Sequence, residues 1–128
     1  MAHRRIVGIL AIAALALGLT ACEGGKQPNV YAVYTGGDWN RGKQVIDHYR
    51  CGACHIIPGI PDANGLVGPP LIKWGQRTYI GGELPNTPDN LVRWIISPKS
   101  IEPGTAMPEL GLTEQEARDA AAYLYTIR

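Results

Sequence analysis

The 128-residue chain contains no phenylalanine, three cysteines, two methionines and three histidines, against 16 glycines and 10 prolines. This composition predicts one loop-rich domain with little aromatic core. The longest nearly unbroken apolar run, residues 6–19, has 14 residues, which is short for a bilayer span of about 20. A strong charge of one sign is also missing, since the formal net charge is +1. We therefore expect no nucleic-acid partner.

The most informative stretch is Cys51-Gly52-Ala53-Cys54-His55, in which two thiols lie two residues apart and a histidine follows directly. This pattern is typical of covalent c-type haem attachment. One helical turn sets the separation at which two thioether bonds reach two vinyl groups on one porphyrin edge. His55 then falls under the iron as the proximal ligand. We predict one haem c, held through Cys51 and Cys54, and a buried planar cofactor would replace the missing aromatic core.

Two other kinds of site also use a Cys-x-x-Cys pair. A thioredoxin-like redox site would have a strand before the cysteines, and a zinc site would need a second pair of Cys or His ligands. Neither is predicted, because a helical pattern precedes Cys51 and the remaining Cys and His residues are Cys22, His3 and His48.

The first 21 residues resemble the signal peptide of a bacterial lipoprotein. His3, Arg4 and Arg5 precede the apolar run, which ends in Leu19-Thr20-Ala21-Cys22, a sequence similar to a lipobox. This resemblance implies lipid on Cys22, so we expect a protein anchored to a membrane of the bacterial cell envelope and facing the periplasm. An ordinary cleavable signal with an incidental cysteine, or an uncleaved anchor, is the alternative.

The remaining residues divide into a predicted flexible tether, residues 22–37, and a domain, residues 38–128. Small and polar residues at 23–28 and Gly36-Gly37 favour the tether. Within it, the apolar stretch at residues 30–34 could contact the domain or lie in the membrane interface. Removal of residues 1–21 lowers the number of Lys and Arg from 12 to 10 against 11 Asp and Glu, so the net charge stays near zero.

Three main helices are predicted in the domain. The first begins at a cap formed by Asp38 or Asn40 and runs towards Cys51. The second follows Thr87, has proline at its first helical position and ends before Pro98. The last helix opens with a capping box at residues 113–116, and its apolar side is rich in alanine.

Gly68-Pro69 and Pro103-Gly104-Thr105-Ala106-Met107, together with the haem motif, give residues 38–128 a resemblance to bacterial class I c-type cytochromes. The resemblance implies an all-α cytochrome c fold, with three main helices plus short turns wrapped around one covalent haem. It implies that the Pro69 carbonyl accepts the proximal imidazole N–H. It also implies that Met107 is the distal ligand, with Thr105 in the same binding loop. Mitochondrial members usually have asparagine where this chain has Pro70.

The same resemblance implies hydrogen bonds to the haem propionates from Trp74, Arg77 and Tyr79. A cation is also expected there on physical grounds, and arginine suits contact with a carboxylate. Trp94, on the second helix, is expected in a core that consists largely of haem. In the family, the last helix crosses the first near Gly42, where small residues permit close approach.

Ligation by His55 and Met107 would fill both axial positions of the iron. We therefore expect a one-electron carrier, and no enzyme, since no distal histidine or carboxylate pair is evident. The expected partners are a redox protein donor and acceptor, such as a membrane oxidase or dehydrogenase complex. Two alternatives stay open: a five-coordinate haem protein in which Met107 is structural, and an accessory subunit fixed to a larger oxidase or dehydrogenase.

Overall fold

The computed structural model describes residues 30–128, with side chains described from Val33 onward. The predicted signal peptide and the predicted lipid site at Cys22 lie outside the described residues. The described helices are α1 (Val30–Thr35), α2 (Trp39–His48), α3 (Pro88–Ile96) and α4 (Glu114–Leu124). An antiparallel pair of strands, β1 (Tyr79–Ile80) and β2 (Leu84–Pro85), and 3-10 turns at Cys51–Ala53, Trp74–Gln76 and Pro98–Ser100 complete this part of the chain. None of these helices has the length and apolarity that a bilayer span requires.

The three predicted main helices are α2, α3 and α4, and each begins where its sequence cap predicts. The Asp38 carboxylate accepts the backbone N–H groups of residues 40 and 41, both at 2.9 Å, at the start of α2. The Thr87 hydroxyl caps α3. In α4, the Thr113 backbone donates to the Glu116 carboxylate at 2.8 Å, and the Glu116 backbone donates to the Thr113 hydroxyl at 3.3 Å. The predicted architecture of three main helices plus short turns is confirmed.

Helices α2 and α4 approach each other at Gly42, as the sequence predicts. A Cβ atom built on Gly42 would overlap the carbonyl oxygen of Asp119 and lie 2.6 Å from its carbonyl carbon. No side chain fits between the two backbones at this point. The small residues Ala120 and Ala121 beside the crossing are fully buried, which is consistent with the close approach.

Asp119 joins the beginning of α2 to the middle of α4. Its carboxylate is almost fully buried and accepts the Asp38 backbone N–H at 2.7 Å, Arg41 at 2.8 and 2.9 Å, and Gln115 at 3.1 Å. Burial alone would raise the pKa of Asp119. The hydrogen bonds from Arg41, Asp38 and Gln115 outweigh burial and lower this pKa. The buried charge is therefore well solvated by the protein.

The segment before α2 differs from the sequence prediction. Residues 30–37, expected to belong to a flexible tether, form α1 and a turn that lies against α4. Thr35 is 1 % exposed, and its carbonyl accepts Arg118 Nη1 at 3.0 Å. The Gly36 carbonyl accepts Gln115 at 3.2 Å. Val33 and Tyr34 stay exposed, whereas Thr35 at the end of α1 is buried against the domain.

The short strands were also not predicted, since residues 71–82 were expected to form a helical turn and a loop. The 3-10 turn at Trp74–Gln76 matches the helical turn. The strands then pair Tyr79 with Pro85 and Ile80 with Leu84, around a turn in which Gly81 and Gly82 both have positive φ. Two residues per strand are too few to produce a recognisable alternation in the sequence.

The core contains aliphatic and small side chains, in agreement with the composition. Ile46 of α2 and Leu91 of α3 are almost fully buried, and the inner face of α4 is mainly alanine. Asp47 and His48 face solvent, as expected. Trp74 and Tyr123 are the buried aromatic residues of the described part of the chain.

We predict that Gly42→Ala destabilises the protein by about 1–3 kcal/mol, because the added methyl group overlaps a main-chain carbonyl that cannot move aside. Alanine normally stabilises a helix by about 1 kcal/mol relative to glycine, so a loss of stability would mean that the overlap outweighs helix propensity. Chemical unfolding of the haem-loaded protein measures the difference. Lys43→Ala, an exposed neighbour on α2, is the control and should change stability by less than about 0.5 kcal/mol.

Candidate haem site

The two thiols of the haem motif lie in one tight turn directly after α2. Arg50 adopts a left-handed conformation (φ 56°), which ends the helical path and starts the 3-10 turn at Cys51. The Cys51 carbonyl then accepts the backbone N–H groups of Cys54, at 3.2 Å, and His55, at 3.1 Å. Both cysteines are half-buried and are not joined in a disulfide. The turn therefore presents two thiols and the following imidazole together.

The surroundings of Cys51 do not favour a thioredoxin-like redox site. Reactive thiols of that kind have a lowered pKa, which makes them thiolates near neutral pH. Burial, together with the neighbouring Cys54, raises the pKa of the Cys51 thiol instead. The element before the cysteines is also a helix and not a strand.

Main-chain hydrogen bonds fasten the loop after His55 onto this turn. Gly65 N donates to the Gly52 carbonyl at 3.0 Å, and Gly68 N donates to the Cys54 carbonyl at 2.8 Å. A Cβ atom on Gly52 would lie 2.6 Å from Ala63, so the loop passes directly beside the turn. The glycines are required here by close approach of the backbone.

His55 is oriented by the loop segment that the sequence singled out. Its Nδ1 atom lies 2.7 Å from the Pro69 carbonyl oxygen, and because a carbonyl can only accept, Nδ1 is the donor. This fixes the tautomer and leaves Nε2 with a lone pair for a metal. Gly68 lies against the ring, since a Cβ atom there would be 2.7 Å from Nδ1.

Met107 lies in an irregular loop between the 3-10 turn at Pro98–Ser100 and α4, and its side chain is half-buried. The Met107 backbone N–H donates to the Thr105 hydroxyl at 3.2 Å, and the Thr105 backbone donates to the Glu102 carbonyl at 3.0 Å. The predicted cofactor residue Thr105 therefore holds the shape of the methionine loop.

Trp74 and Arg77 come together at the second predicted part of the site. Trp74 is 5 % exposed, and within the described residues its indole N–H is buried with no hydrogen-bond partner. The Arg77 guanidinium lies 5.2 Å from the centroid of the Trp74 ring and donates to the carbonyls of Pro70 and, at 3.4 Å, Ile72. A buried donor without an acceptor destabilises a fold, so a group outside the described residues is expected to accept it.

The two remaining predicted residues lie on other elements. Tyr79 lies on β1 and is 58 % exposed. Trp94 is half-buried on α3 and contacts Gly81, where a Cβ atom would lie 2.6 Å from the indole ring. Their haem contacts stay predictions. Sequence reasoning did not find Asn86 and Tyr125, which bond to each other at 2.8 Å behind Trp74, because neither belongs to a motif.

These residues fit a covalently bound haem. The turn offers two thiols, the orientation of His55 leaves one imidazole nitrogen for the iron, and Trp74 has an unused donor for a carboxylate. The Pro69 and Pro70 carbonyls, neighbours in sequence, bond to His55 and Arg77 respectively. One short segment therefore connects the imidazole to the predicted propionate residues.

Comparison with known proteins agrees with this assignment. The family model described as "Cytochrome c" matches residues 39–128. The chain is 33 % identical over 90 residues to cytochrome c oxidase subunit 2 of Alkalihalophilus pseudofirmus, covering 70 % of this chain and 25 % of that protein. It is 28 % identical over 89 residues to cytochrome c oxidase subunit 2 of Bacillus sp. (strain PS3), covering 66 % and 25 %.

A third relative is cytochrome c-type cyt cy of Rhodobacter capsulatus, which is 31 % identical over 103 residues, covering 71 % of this chain and 50 % of that protein. The chain therefore spans about a quarter of the length of the two oxidase subunits and half of the third relative.

We predict that Gly68→Ala disturbs the proximal imidazole, because the new methyl group would overlap the His55 ring. Overpacking of this kind should destabilise the haem-loaded protein by about 1–3 kcal/mol and change its proximal-ligand spectrum. Chemical unfolding measures the first effect, and proton NMR of the His55 ring in the oxidised protein measures the second. Val67→Ala, an exposed neighbour, is the control, and equal effects of the two variants would contradict the prediction.

Proposed function

Since this chain belongs to the cytochrome c family, we propose that it is a one-electron carrier in which His55 and Met107 are the two axial ligands of the iron. Members of the family bind haem c covalently through cysteines, which here are Cys51 and Cys54. The proposal depends most on the hydrogen bond from His55 Nδ1 to the Pro69 carbonyl at 2.7 Å. This bond leaves Nε2 for the metal and holds the ring still.

The haem would supply a ferric–ferrous couple. The residues of the chain would determine which oxidation state is favoured and which molecules have access to the iron. Met107 is the only methionine after Met1, and a thioether is a weak donor that favours ferrous iron. The Thr105 hydroxyl and the Glu102 carbonyl keep the methionine loop in one conformation. With both axial positions filled, a substrate could bind only after loss of a ligand, so we propose no enzymatic activity.

We further propose that lipid on Cys22 anchors the protein to a membrane of the bacterial cell envelope, with the domain facing the periplasm. The support is the signal-like sequence of residues 1–21 and the small residues before Cys22. Covalent haem attachment outside the cytoplasm agrees with such a location. One acyl chain binds a membrane only marginally, so stable anchoring requires more than one chain.

The partners we propose are membrane redox complexes, with a terminal oxidase as the first choice. Two of the relatives are cytochrome c oxidase subunits 2, and each matches this chain over only a quarter of its own length. The matched region is therefore one part of each oxidase subunit, which supports an oxidase as the partner. The relative from Rhodobacter capsulatus, named as a c-type cytochrome, supports a separate carrier.

The same oxidase names support a second candidate, an accessory subunit fixed permanently to an oxidase or dehydrogenase. Such a subunit would transfer electrons by the same chemistry as a mobile carrier, but it would not move between partners. A carrier exchanges between donor and acceptor, whereas a fixed subunit stays with one complex.

We predict that Met107→Ala abolishes the sulfur-to-iron charge-transfer band that the oxidised protein should show in the red. The reduced variant should bind carbon monoxide rapidly, because its sixth position is open. Absorption spectroscopy and stopped-flow mixing measure both effects. Leu110→Ala, an exposed residue three positions further along the chain, is the control and should keep the band.

A band that survives Met107→Ala would contradict the ligand assignment. Rapid carbon monoxide binding by the untreated reduced wild-type protein would favour the five-coordinate alternative, with Met107 in a structural role.

We predict that the protein purified from membranes has the mass of a chain that begins at Cys22 and carries lipid and one haem. Intact-protein mass spectrometry after mild detergent extraction tests this. Cys22→Ala is the control, and this variant should be absent from the membrane fraction. A carrier should separate from oxidases and dehydrogenases at this step. Stable co-purification with one complex would instead support the fixed subunit, and a lipid-free wild-type chain would contradict the anchor.

A further inference from the structure

Asn86 connects three parts of the chain that are far apart in sequence. It lies between β2 and α3, and its backbone N–H donates to the Thr78 carbonyl at 2.8 Å. Its side-chain Nδ2 donates to the carbonyls of Trp74, at 3.2 Å, and Arg77, at 3.0 Å. Its Oδ1 accepts the hydroxyl of Tyr125 at 2.8 Å. The side chain thus joins the 3-10 turn at Trp74–Gln76 to the end of α4.

The partners of Asn86 fix the orientation of its amide. The two carbonyls can only accept, so the NH2 group must face them, and the oxygen must face Tyr125. Burial raises the pKa of Tyr125 to about 12, so its hydroxyl stays protonated and remains a donor at neutral pH. The amide can make all three bonds in one orientation only.

The C-terminal segment supports the same turn at a second point. Gly75 N donates to the Ile127 carbonyl at 2.9 Å, and a Cβ atom on Gly75 would lie 2.9 Å from the Tyr125 carbonyl oxygen. The turn is therefore held between Asn86 on one side and residues 125–127 on the other.

The 3-10 turn and the residue after it carry two side-chain donors that could bond to a haem propionate. The Trp74 indole N–H is buried without a partner among the described residues, and the Arg77 guanidinium lies 5.2 Å from the Trp74 ring centroid. Asn86 bonds to the carbonyls of these same two residues. A change at Asn86 would therefore change where both donors point, although Asn86 itself carries no group for the cofactor.

We propose that Asn86 and Tyr125 are positioning residues that hold Trp74 and Arg77 towards the haem propionates and thereby raise the reduction potential. The inference rests on the proposed placement of the propionates beside this turn. Ionised propionates stabilise ferric iron, and well-aligned donors reduce that effect by neutralising their charge. If the turn were loosened, the propionate charges would again stabilise ferric iron, and the reduction potential would fall.

The test is a redox titration of the haem-loaded full-length protein with Asn86→Ala and Tyr125→Phe. Asn86→Ala should shift the ferric–ferrous equilibrium towards ferric on the order of tenfold, which is about 59 mV for one electron. Tyr125→Phe should shift it in the same direction by less. The double variant should equal Asn86→Ala, because Tyr125 acts through Asn86. Redox-induced infrared difference spectra of the propionate carboxylates should change in both single variants.

Tyr123→Phe is the matched control. It removes a hydroxyl from the same helix end, where Tyr123 donates to the Pro58 carbonyl at 2.7 Å and not to Asn86. Its potential and its carboxylate bands should stay at the wild-type values. Equal shifts of the reduction potential in Tyr123→Phe and Tyr125→Phe would overturn the inference. Any loosening of α4 would then be enough to change the potential. Tyr125→Phe keeps the test informative if Asn86→Ala does not fold.

Trp74→Phe tests separately whether the haem propionates lie beside the 3-10 turn, which is the placement on which this inference rests. If Trp74→Phe shifts the potential and neither Asn86→Ala nor Tyr125→Phe does, the propionates lie as proposed and the positioning role is wrong. If Trp74→Phe leaves the potential and the carboxylate bands unchanged, the placement itself is wrong and the inference falls with it. Neither outcome bears on ligation by Met107, which is read from the charge-transfer band.

Discussion

The backbone of α4 passes Gly42 of α2 with no room for a side chain, and both halves of the candidate site are positioned from that contact. The C-terminal end of α2 leads directly into the Cys51 turn, which carries the haem thiols. The C-terminal end of α4 leads to Tyr125, which bonds to Asn86 behind Trp74. The buried carboxylate of Asp119 on α4 accepts three hydrogen bonds from Asp38 and Arg41 at the start of α2, which holds the two helices together. A rigid crossing of two helices thus relates two regions that are far apart in the chain.

The pair Pro69-Pro70 shows how a departure from the usual family sequence can suit the site. Proline fixes its own φ angle and has no N–H, and Pro70 also restricts the ψ angle of Pro69, which sets the direction of the Pro69 carbonyl. One carbonyl accepts His55 Nδ1, and the next accepts Arg77. The side chain that asparagine would have supplied at position 70 is absent, but the main-chain acceptor is held firmly. The imidazole and the arginine are therefore oriented by adjacent peptide groups.

Much of this fold could be predicted because its signals are local. The caps at Asp38, Thr87 and Thr113 each depend on residues within three positions, and all three begin the helices that they predict. The haem motif is equally local. What could not be predicted depends on distant partners: the two-residue strands, the packing of α1 on α4, and the bonds of Asn86. A side chain that bonds to residues 12 and 39 positions away leaves no periodic pattern in the sequence.

If the protein is anchored through Cys22, as proposed, the packing of α1 bears on how far the domain would reach from the anchor. With lipid on Cys22, as proposed, a tether that extended to residue 37 would give 16 residues of slack and a root-mean-square span of roughly 20–24 Å. Since Arg118 holds Thr35, a tether of only the eight residues 22–29 would have a span of roughly 14–17 Å. Local concentration varies as about the inverse three-halves power of linker length, so halving the linker raises it about threefold. Under that proposal, α1 shortens the tether. The domain would then reach less far from the anchor but would meet a partner close to the anchor more often.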